Sequence, residues 1–434
     1  MTNLNLKSAL LAATLLAGSA SLYATGESKN LDYSTAQELN LMVGFPPEQN
    51  KLVTKENWLK APYNRYAFLH IRELFPTKPF QRSKSPSTEF IKNINGSLSQ
   101  LQVKDVKGNT ILLDDFLKRA YTDAFLILHH GKIVYERYWN GSTEADPHAL
   151  FSITKSFTGT LVGILEARGL IDYEKTVSHY LPELKDSGYG DATIQQMMDM
   201  EVGVAWEETP SAMADPNSVF QQYAASVGVA PSAEISSSYA FLPTMKKVNE
   251  HGEKFQYVAP VTDVLGWLIE RVSGKSYTQV LDDEIISKLH LRNDGFMLLD
   301  GWGKAFSTGG LNLTPRDLAR FGLMIQNGGY FEGKRIVPEE FIKDSRFNGN
   351  KEKFKKGEKD SFWLPGGAYH NQWWIPAGDG SAIKAAGIYG QNLFIDFDAE
   401  VVIVRVSSLP GSHDATDELM TPLYQKISKI LSAN

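Results

Sequence analysis

The stretch HALFSITKSFTGTLVGILEARG, residues 148–169, places Ser152 and Lys155 at the head of a segment whose apolar residues recur at helical spacing up to the stop signal Gly169. Positions i and i+3 share one face of a helix, so the hydroxyl and the amine are predicted to meet. A lysine kept neutral by burial can take the proton of a serine hydroxyl, and a helix N-terminus favours negative charge on a nearby oxygen. The stretch therefore predicts a nucleophilic serine of an acyl-transfer enzyme.

The same spacing occurs a second time, at Ser381 and Lys384 in GDGSAIKAAGIYG. That segment follows a glycine-rich turn and has the pattern of a strand, on which positions i and i+3 point to opposite faces. The second pair is therefore predicted not to cooperate. For the first pair an alternative stays open, in which Ser152 is only a helix cap and Lys155 is a solvated residue of the first turn.

The composition is ordinary for a soluble globular protein, with 434 residues, 42% of them hydrophobic and 22% charged, and a net charge of −6. No run of lysine and arginine indicates nucleic acid, and the acidic excess is too small to indicate a partner. The chain contains no cysteine, which excludes disulfides, thiol catalysis and cysteine-ligated zinc.

The N-terminus, MTNLNLKSALLAATLLAGSASLYATG, has one lysine before an apolar stretch from about Ala9 to Ala17, followed by small residues. This layout predicts a secretory signal peptide over residues 1–24, with cleavage after Ala20 or Ala24. The alternative is a buried N-terminal helix. Because the apolar run is too short to span a bilayer, we expect a periplasmic or secreted protein without a stable membrane anchor.

The remaining pattern places strands toward both chain ends and helices between them. AFLILHHGKIVYERYWNG, residues 124–141, predicts a hairpin, and AIKAAGIYGQNLFIDFDAEVVIVRVSS, residues 382–408, predicts successive strands before a final helix over about 415–431. Residues from about 170 to 300 are mostly helical in pattern. We therefore predict an α/β (α+β) fold, in which an antiparallel sheet built from both chain ends is flanked by helices and carries a helical insertion.

Other catalytic patterns are weak or absent in the sequence. There is no Gly-x-Ser-x-Gly elbow and no HExxH, which argues against an α/β-hydrolase and against a zinc peptidase. His148 is a possible base, although a single loop histidine is more often structural. The aromatic residues Tyr369, Trp373 and Trp374 either line a substrate pocket or simply pack in the core.

Ser152-Ile153-Thr154-Lys155 and the helix after it resemble the serine β-lactamase and penicillin-binding-protein superfamily. More narrowly, the chain resembles the class C β-lactamase-like serine hydrolases, closest to the branch of 6-aminohexanoate-dimer hydrolases and esterases. The stretches that carry the resemblance occur in order: GFPPEQNKLVTKENW, PYNRYAFLHIRELFPT, HALFSITKSF, FQYVAPVTDVLGWLIERVSG, GGLNLTPRDLARFG and AAGIYGQNLFID. The resemblance implies a β-lactamase/transpeptidase-like domain over 101–434, after the signal peptide and an N-terminal extension over 25–100.

The resemblance also implies roles for single residues. Ser152 would be the nucleophile and Lys155 its base. Tyr257, in FQYVAP, matches the tyrosine of the family's Tyr-x-Asn motif and would relay a proton to the leaving group. Ser152, Lys155 and Tyr257 form the implied catalytic set.

The segment Ala385-Ala386-Gly387 falls where the family has Lys-Thr-Gly or a variant of it. The resemblance implies that the backbone N–H groups of Ser152 and Ile388 form the oxyanion hole. Gly387, Ile388 and Tyr389 would then be the substrate-binding residues of this strand end.

Two departures from the family pattern bear on the substrate. Ala259 replaces the asparagine of Tyr-x-Asn, and Ala385 replaces the basic residue of Lys-Thr-Gly, with Lys384 one position early. The loss of these polar groups disfavours β-lactams, so we expect a small-molecule ester or non-lactam amide as substrate, with no metal or organic cofactor. The alternatives are a β-lactamase or D,D-peptidase acting on cell-wall-like substrates, and a non-catalytic penicillin-binding sensor.

Overall fold

The computed structural model describes residues 33–84, 88–230, 237–357, 364 and 366–433. Residues 35–434 form one compact unit. The predicted signal peptide lies outside the described residues, and the domain boundaries at residues 24 and 100 stay predictions. No helix in the described ranges is long and apolar enough to cross a membrane.

The strands and α-helices of the described residues follow in chain order. The strands are β1 (Thr77–Phe80), β2 (Gln102–Lys104), β3 (Thr110–Leu112), β4 (Thr122–His129), β5 (Lys132–Tyr138), β6 (His148–Ala149), β7 (Gly295–Leu298), β8 (Leu311–Leu313), β9 (Tyr330–Phe331), β10 (Lys334–Arg335), β11 (Ala368–His370), β12 (Trp373–Ile375), β13 (Ala382–Gly387), β14 (Gln391–Asp396) and β15 (Val401–Ser407). The helices are α1 (Asn64–Ala67), α2 (Gly96–Ser99), α3 (Leu113–Arg119), α4 (Ile153–Glu166), α5 (Val177–Tyr180), α6 (Ile194–Met198), α7 (Pro210–Ala214), α8 (Val219–Ser226), α9 (Ser238–Phe241), α10 (Val261–Ser273), α11 (Tyr277–Leu281), α12 (Pro315–Gln326), α13 (Glu339–Phe347), α14 (Lys351–Gly357) and α15 (Ala415–Ser432).

The main sheet has seven antiparallel strands in the order β11-β12-β13-β14-β15-β4-β5. Its centre joins the two ends of the chain, because β15 pairs with β4, with Val401 opposite His129 and Arg405 opposite Phe125. The predicted hairpin is the pair β4 and β5. The prediction of an antiparallel sheet built from both chain ends is confirmed.

Both faces of this sheet are covered by apolar layers. Along β4, Phe125 and Ile127 belong to the core shared with α3 and α15, whereas Leu126 and Leu128 belong to the larger core that includes α4 and α12. This alternation follows from the two-residue period of a strand. A strand buried on both faces is continuously apolar, which is why the sequence of β4 shows no polar face.

The predicted helical region lies between α4 and α12 in the chain and contains the helices α5 to α11. Its clearest member is α10, which begins after Pro260 and ends before Gly274. Gly274 has a φ of 67°, the left-handed conformation that glycine adopts at low cost after a helix.

A second sheet, in the order β1-β7-β8-β6, was not among the sequence predictions. It pairs β1 with β7, two segments more than 200 residues apart, with Thr77 opposite Leu298. Its last strand, β6, ends just before Ser152. This sheet therefore connects the N-terminal part of the compact unit to the start of α4.

Candidate active site

Ser152 occupies the residue just before α4, where the chain turns sharply out of β6. Phe151 has a φ of 46°, a left-handed conformation that a bulky residue rarely adopts and that costs of the order of 1–3 kcal/mol. The Ser152 side chain makes no capping hydrogen bond to the helix. The structure therefore does not support the alternative in which Ser152 is only a helix cap, because its hydroxyl bonds none of the N–H groups at the start of α4.

The Ser152 hydroxyl instead meets Lys155. Lys155 Nζ donates to Ser152 Oγ at 2.7 Å and to the Thr308 carbonyl oxygen at 3.2 Å, and the lysine is only 2% exposed. Burial lowers the pKa of the Lys155 amine to about 8, although the carboxylates of Glu208 and Asp263 oppose the change. The amine is therefore substantially neutral at mildly alkaline pH, as a general base must be.

Tyr257 completes a three-residue cluster with Ser152 and Lys155. Lys155 Nζ lies 5.2 Å from the centroid of the Tyr257 ring, and interaction with Ser152 acts to lower the pKa of the Tyr257 hydroxyl. The ring stacks on Trp374, with centroids 5.6 Å apart and an angle of 18° between the planes. Burial raises the pKa of the Tyr257 phenol, so the hydroxyl keeps its proton and can donate it.

Gly387, the last residue of β13, lies against the first residues of α4. A Cβ at this position would fall 2.5 Å from the Leu150 carbonyl oxygen and 3.1 Å from the Ser152 nitrogen. The backbone conformation is extended, with a φ of −127°, so the requirement for glycine comes from lack of space. The fold thus brings the strand end that carries Ile388 beside the backbone nitrogen of Ser152.

Tyr389, the remaining predicted substrate-binding residue, lies behind this arrangement. Its backbone N–H donates to the Ser412 carbonyl oxygen at 2.8 Å, and its ring packs against Phe68 and Phe151. It is not among the residues that line the cavities at Ser152. The structure therefore shows Tyr389 in contact with Phe151, and its role in substrate binding stays a prediction.

Two cavities meet at Ser152. The inner cavity, of about 130 Å³, is bounded by Ser152 and Lys155 at one end and by mostly apolar side chains elsewhere, among them Trp58, Ile71, Phe151, Tyr223, Val227 and Phe306. The outer cavity, of about 490 Å³, has a wall of mixed polar and apolar character that includes Tyr257, Trp374, Lys384, Gly387, Asp414 and Asp417. Ile388 and Glu208 line both.

Glu208 was not predicted from the sequence. It lies in the loop before α7 and accepts a hydrogen bond from Trp206 Nε1 at 3.3 Å. Burial raises its pKa and the charge of Lys155 lowers it. A lone glutamate in a loop carries no sequence signal for this position, because only folding places it between the two cavities.

Asp263 was also missed, although it organises the partner of Lys155. One of its oxygens accepts from Ser307 Oγ at 2.8 Å and from the Thr308 backbone N–H at 3.1 Å, and the other accepts from Tyr223 at 2.6 Å. Burial raises the pKa of Asp263 to about 6 despite these hydrogen bonds. The carboxylate therefore holds the Thr308 backbone where its carbonyl faces Lys155.

His148 has a structural role, which is the interpretation that the sequence analysis favoured over a role as base. It is 1% exposed, with Nε2 at 3.0 Å from Asp123 Oδ2 and Nδ1 at 3.0 Å from the Ala149 carbonyl oxygen. Arg65 Nη1 pairs with the same carboxylate at 2.9 Å. Both ring nitrogens of His148 are thus engaged away from Ser152.

The structure also assigns places to the second Ser-x-x-Lys pair and to the two tryptophans that the sequence singled out. In the second Ser-x-x-Lys pair, Ser381 Oγ donates to Asp379 and Lys384 Nζ donates to Thr421, which confirms that the pair is split. Of the aromatic residues, Trp374 lines the outer cavity, whereas Trp373 is buried in the core. Within the described ranges, no three His, Asp or Glu side chains are grouped as a metal site requires.

Comparison with known proteins identifies the family. The Beta-lactamase family model matches residues 112–421. The chain is 34% identical over 360 residues to the 6-aminohexanoate-dimer hydrolase of Paenarthrobacter ureafaciens, which covers 82% of this chain and 88% of that protein. A solved structure described as a 6-aminohexanoate-dimer hydrolase from Bacillus anthracis has a TM-score of 0.80 and 32% identity, and covers 89% of this chain and 99% of that one.

A family VIII carboxylesterase shares the fold at a TM-score of 0.51 and 20% identity, covering 70% of this chain and 91% of that one. The long match of the family model and the high coverage of the hydrolase relatives agree with the arrangement of sheet, helices and cleft described above. The chain therefore belongs to the β-lactamase family, as a hydrolase of the β-lactamase fold that is related to 6-aminohexanoate-dimer hydrolase.

Proposed function

We propose that this protein is a serine hydrolase that cleaves carboxylic ester and non-lactam amide bonds through an acyl-enzyme on Ser152. The observation that carries the proposal is the 2.7 Å hydrogen bond between Lys155 Nζ and Ser152 Oγ at the junction of two cavities. The 34% identity to a 6-aminohexanoate-dimer hydrolase supports a hydrolytic reaction on an amide-like bond.

In the proposed acylation, Lys155, Tyr257 and two backbone N–H groups each have a separate role. Neutral Lys155 accepts the hydroxyl proton as Ser152 Oγ attacks the carbonyl carbon. The negative charge that develops on the carbonyl oxygen is stabilised by the backbone N–H groups of Ser152 and Ile388. Tyr257 donates its proton to the leaving alcohol or amine and recovers one from Lys155. Water then attacks the carbonyl carbon of the ester on Ser152. Lys155 and Tyr257 carry the proton that the water loses back to Ser152 Oγ, and the acid is released.

The position of Tyr257 assigns the two halves of the substrate to the two cavities. Tyr257 lines the outer cavity and is absent from the described lining of the inner cavity. Since the leaving group must receive its proton there, we place the leaving group in the outer cavity and the acyl group in the inner cavity. Lys384, Asp414 and Asp417 in the wall of the outer cavity offer polar partners to an alcohol or amine that carries further polar atoms.

The identity of two residues argues for esters and linear amides over β-lactams. Ala259 and Ala385 offer no polar side chain where the family has an asparagine and a lysine, and Ala385 is buried in the core at 1% exposure. Lys384 lines the outer cavity from the neighbouring position of β13. We therefore expect weak or absent turnover of β-lactams.

The test combines labelling with turnover. Purified protein is treated with a fluorophosphonate probe and with a labelled penicillin, and the modified peptide is identified by mass spectrometry. The same protein is assayed with short-chain p-nitrophenyl esters, a chromogenic cephalosporin and the linear 6-aminohexanoate dimer. We expect fluorophosphonate on Ser152 and measurable ester hydrolysis, both lost in Ser152→Ala, with activity reduced by roughly 1,000-fold or more.

Ser381→Ala is the matched control, because Ser381 belongs to the second Ser-x-x-Lys pair and bonds Asp379 on the exposed side of its turn. It should keep both labelling and turnover. Equal labelling of Ser152→Ala and the native protein would refute the nucleophile. Stoichiometric labelling of Ser152 without turnover of any substrate would instead favour a penicillin-binding sensor.

A further inference from the structure

We infer that Trp58 closes the inner cavity and sets the length of the acyl chain that the protein accepts. Trp58 lies outside residues 112–421, the part of the chain that the family model matches. The inference rests on the proposed function, because it takes the inner cavity to be the site of the acyl group. It adds a specificity-determining residue from a segment to which the family match assigns no role.

Trp58 is held in the cavity wall from two sides. Its indole is 4% exposed and stacks on Phe151, with centroids 5.9 Å apart and planes 18° apart. Its Nε1 donates to the Val229 carbonyl oxygen at 3.0 Å. Val229 follows α8 and lines the same cavity, so this hydrogen bond fixes the N-terminal segment to the segment after α8. The indole is therefore a rigid boundary.

The chemistry of the wall selects an apolar chain. Apart from Glu208 and the groups next to Ser152, the side chains that enclose the cavity are mainly aromatic or aliphatic. Over most of this wall, away from Glu208, Gln221 and Asn312, a polar substituent on the acyl chain would lose its hydration without gaining a partner, whereas each methylene gains from leaving water. The inner cavity thus suits an unbranched hydrocarbon acyl group.

The size of the cavity limits the length of that chain. One buried water needs about 10–15 Å³, so a cavity of about 130 Å³ takes roughly ten non-hydrogen atoms at most. Allowing for imperfect filling, this corresponds to an acyl group of about four to eight carbons. A longer chain would have to displace Trp58 from both Phe151 and Val229.

Trp58 also packs edge-on against Phe68 and Phe75 in the same apolar cluster, so the alternative is a purely structural role. The two roles predict different results. A structural residue changes the hydrolysis of every substrate by the same factor, because it alters only the amount or geometry of the catalytic groups. A boundary residue changes the ratio between long and short substrates.

The experiment measures kcat/KM for p-nitrophenyl esters from acetate to dodecanoate, with fluorophosphonate titration of Ser152 to count active sites. For the native protein we expect kcat/KM to rise by about fourfold per methylene until the cavity is full, with an optimum between butyrate and octanoate, and to fall for longer chains. In Trp58→Ala the optimum should move to longer chains. The ratio of decanoate to butyrate should rise by roughly fifteenfold, the effect of about two buried methylenes.

Two further variants make the result decisive. Ala224 lies on α8, is 8% exposed and lines the inner cavity, so Ala224→Leu should shift the optimum to shorter chains. Leu41 belongs to the same apolar cluster as Trp58 and is 4% exposed, but it is not among the residues that line the cavity. Leu41→Ala is therefore the control for loss of packing and should leave the optimum unchanged.

The outcomes separate this inference from the proposed function. If the native protein hydrolyses esters through Ser152, but neither Trp58→Ala nor Ala224→Leu changes the chain-length optimum, the inference is overturned and the proposed function stands. If Trp58→Ala does not fold, Ala224→Leu decides. Absence of ester turnover together with absence of label on Ser152 would mean that the proposed function itself has failed.

Discussion

The proposed reaction depends on the protonation of Lys155. Burial lowers the pKa of this amine from 10.5 to about 8, so the neutral, proton-accepting form increases as the pH rises toward that value. We therefore predict that kcat/KM for an ester increases by about tenfold per pH unit below pH 8 and levels off above it. The measurement is a pH–rate profile at low substrate concentration, from pH 6 to 9.5.

The charge of Glu208 raises the pKa of Lys155, so Glu208→Gln should move the midpoint of the profile to lower pH. A control is needed because burial also lowers the pKa of Lys384 to about 8. Lys384→Met should leave the midpoint where it is. A profile that is flat for the native protein, or that follows Lys384 instead, would remove Lys155 from the role of base.

At the scale of elements, the end of β13 and the start of α4 form a single working unit. Gly387 allows the two backbones to approach, since a Cβ there would fall 2.5 Å from the Leu150 carbonyl oxygen. We predict that Gly387→Ala pushes β13 away from Ser152 and lowers kcat by roughly 100-fold, the size of effect expected when an oxyanion-hole donor is displaced. Ester kinetics and a thermal melt would check this.

Gly96→Ala is the control for that variant, because nothing lies within 4 Å of a Cβ at Gly96. It should change neither kcat nor the melting temperature. Native kcat in a folded Gly387→Ala protein would show that the close approach of β13 and α4 is dispensable for catalysis.

At the scale of the whole molecule, His370 connects the helical region to the edge of the main sheet. Its Nδ1 lies 2.7 Å from Asp199 at the end of α6, and its Nε2 lies 2.9 Å from Asp344 on α13. Burial alone would lower the pKa of His370, but the hydrogen bonds and charges of the two carboxylates outweigh it and raise the pKa to about 10. The imidazolium is therefore a charged link between three elements.

The pH dependence of this link has a definite sign. Because the folded pKa is above the unfolded value of 6.5, the stabilisation is fully present below pH 6.5 and is lost as the pH rises toward 10. We predict that His370→Gln lowers the free energy of unfolding by about 3 kcal/mol near pH 6, since it leaves two carboxylates without their cation. Denaturant melts between pH 6 and 10 should show the difference shrinking.

His130→Gln is the matched control, because His130 pairs with Glu400 at the surface, with side chains 60% and 59% exposed. An exposed pair is worth less than about 1 kcal/mol, so this variant should behave like the native protein at every pH. A loss in His370→Gln that stays constant up to pH 10 would contradict the charged link.

Much of the fold follows from local patterns in the chain. The hairpin over 124–141 and the final helix over about 415–431 are predicted from local patterns, and the structure has β4, β5 and α15 at these places. The second sheet has no such signal, because β1 and β7 are short and pair across more than 200 residues. Strand pairing at that distance depends on the whole fold.

The sequence by itself determined the pair Ser152 and Lys155, because three residues of helix are enough to bring the two side chains to one face. Its motif order also pointed to Tyr257 and Gly387. Only the tertiary structure decided which groups surround them: Glu208, Asp263 and Trp58 come from distant segments, and Trp58 reaches its partner Val229 across 171 residues. Local geometry therefore specifies the nucleophile, whereas burial, charge and cavity shape arise from contacts that no stretch of sequence contains.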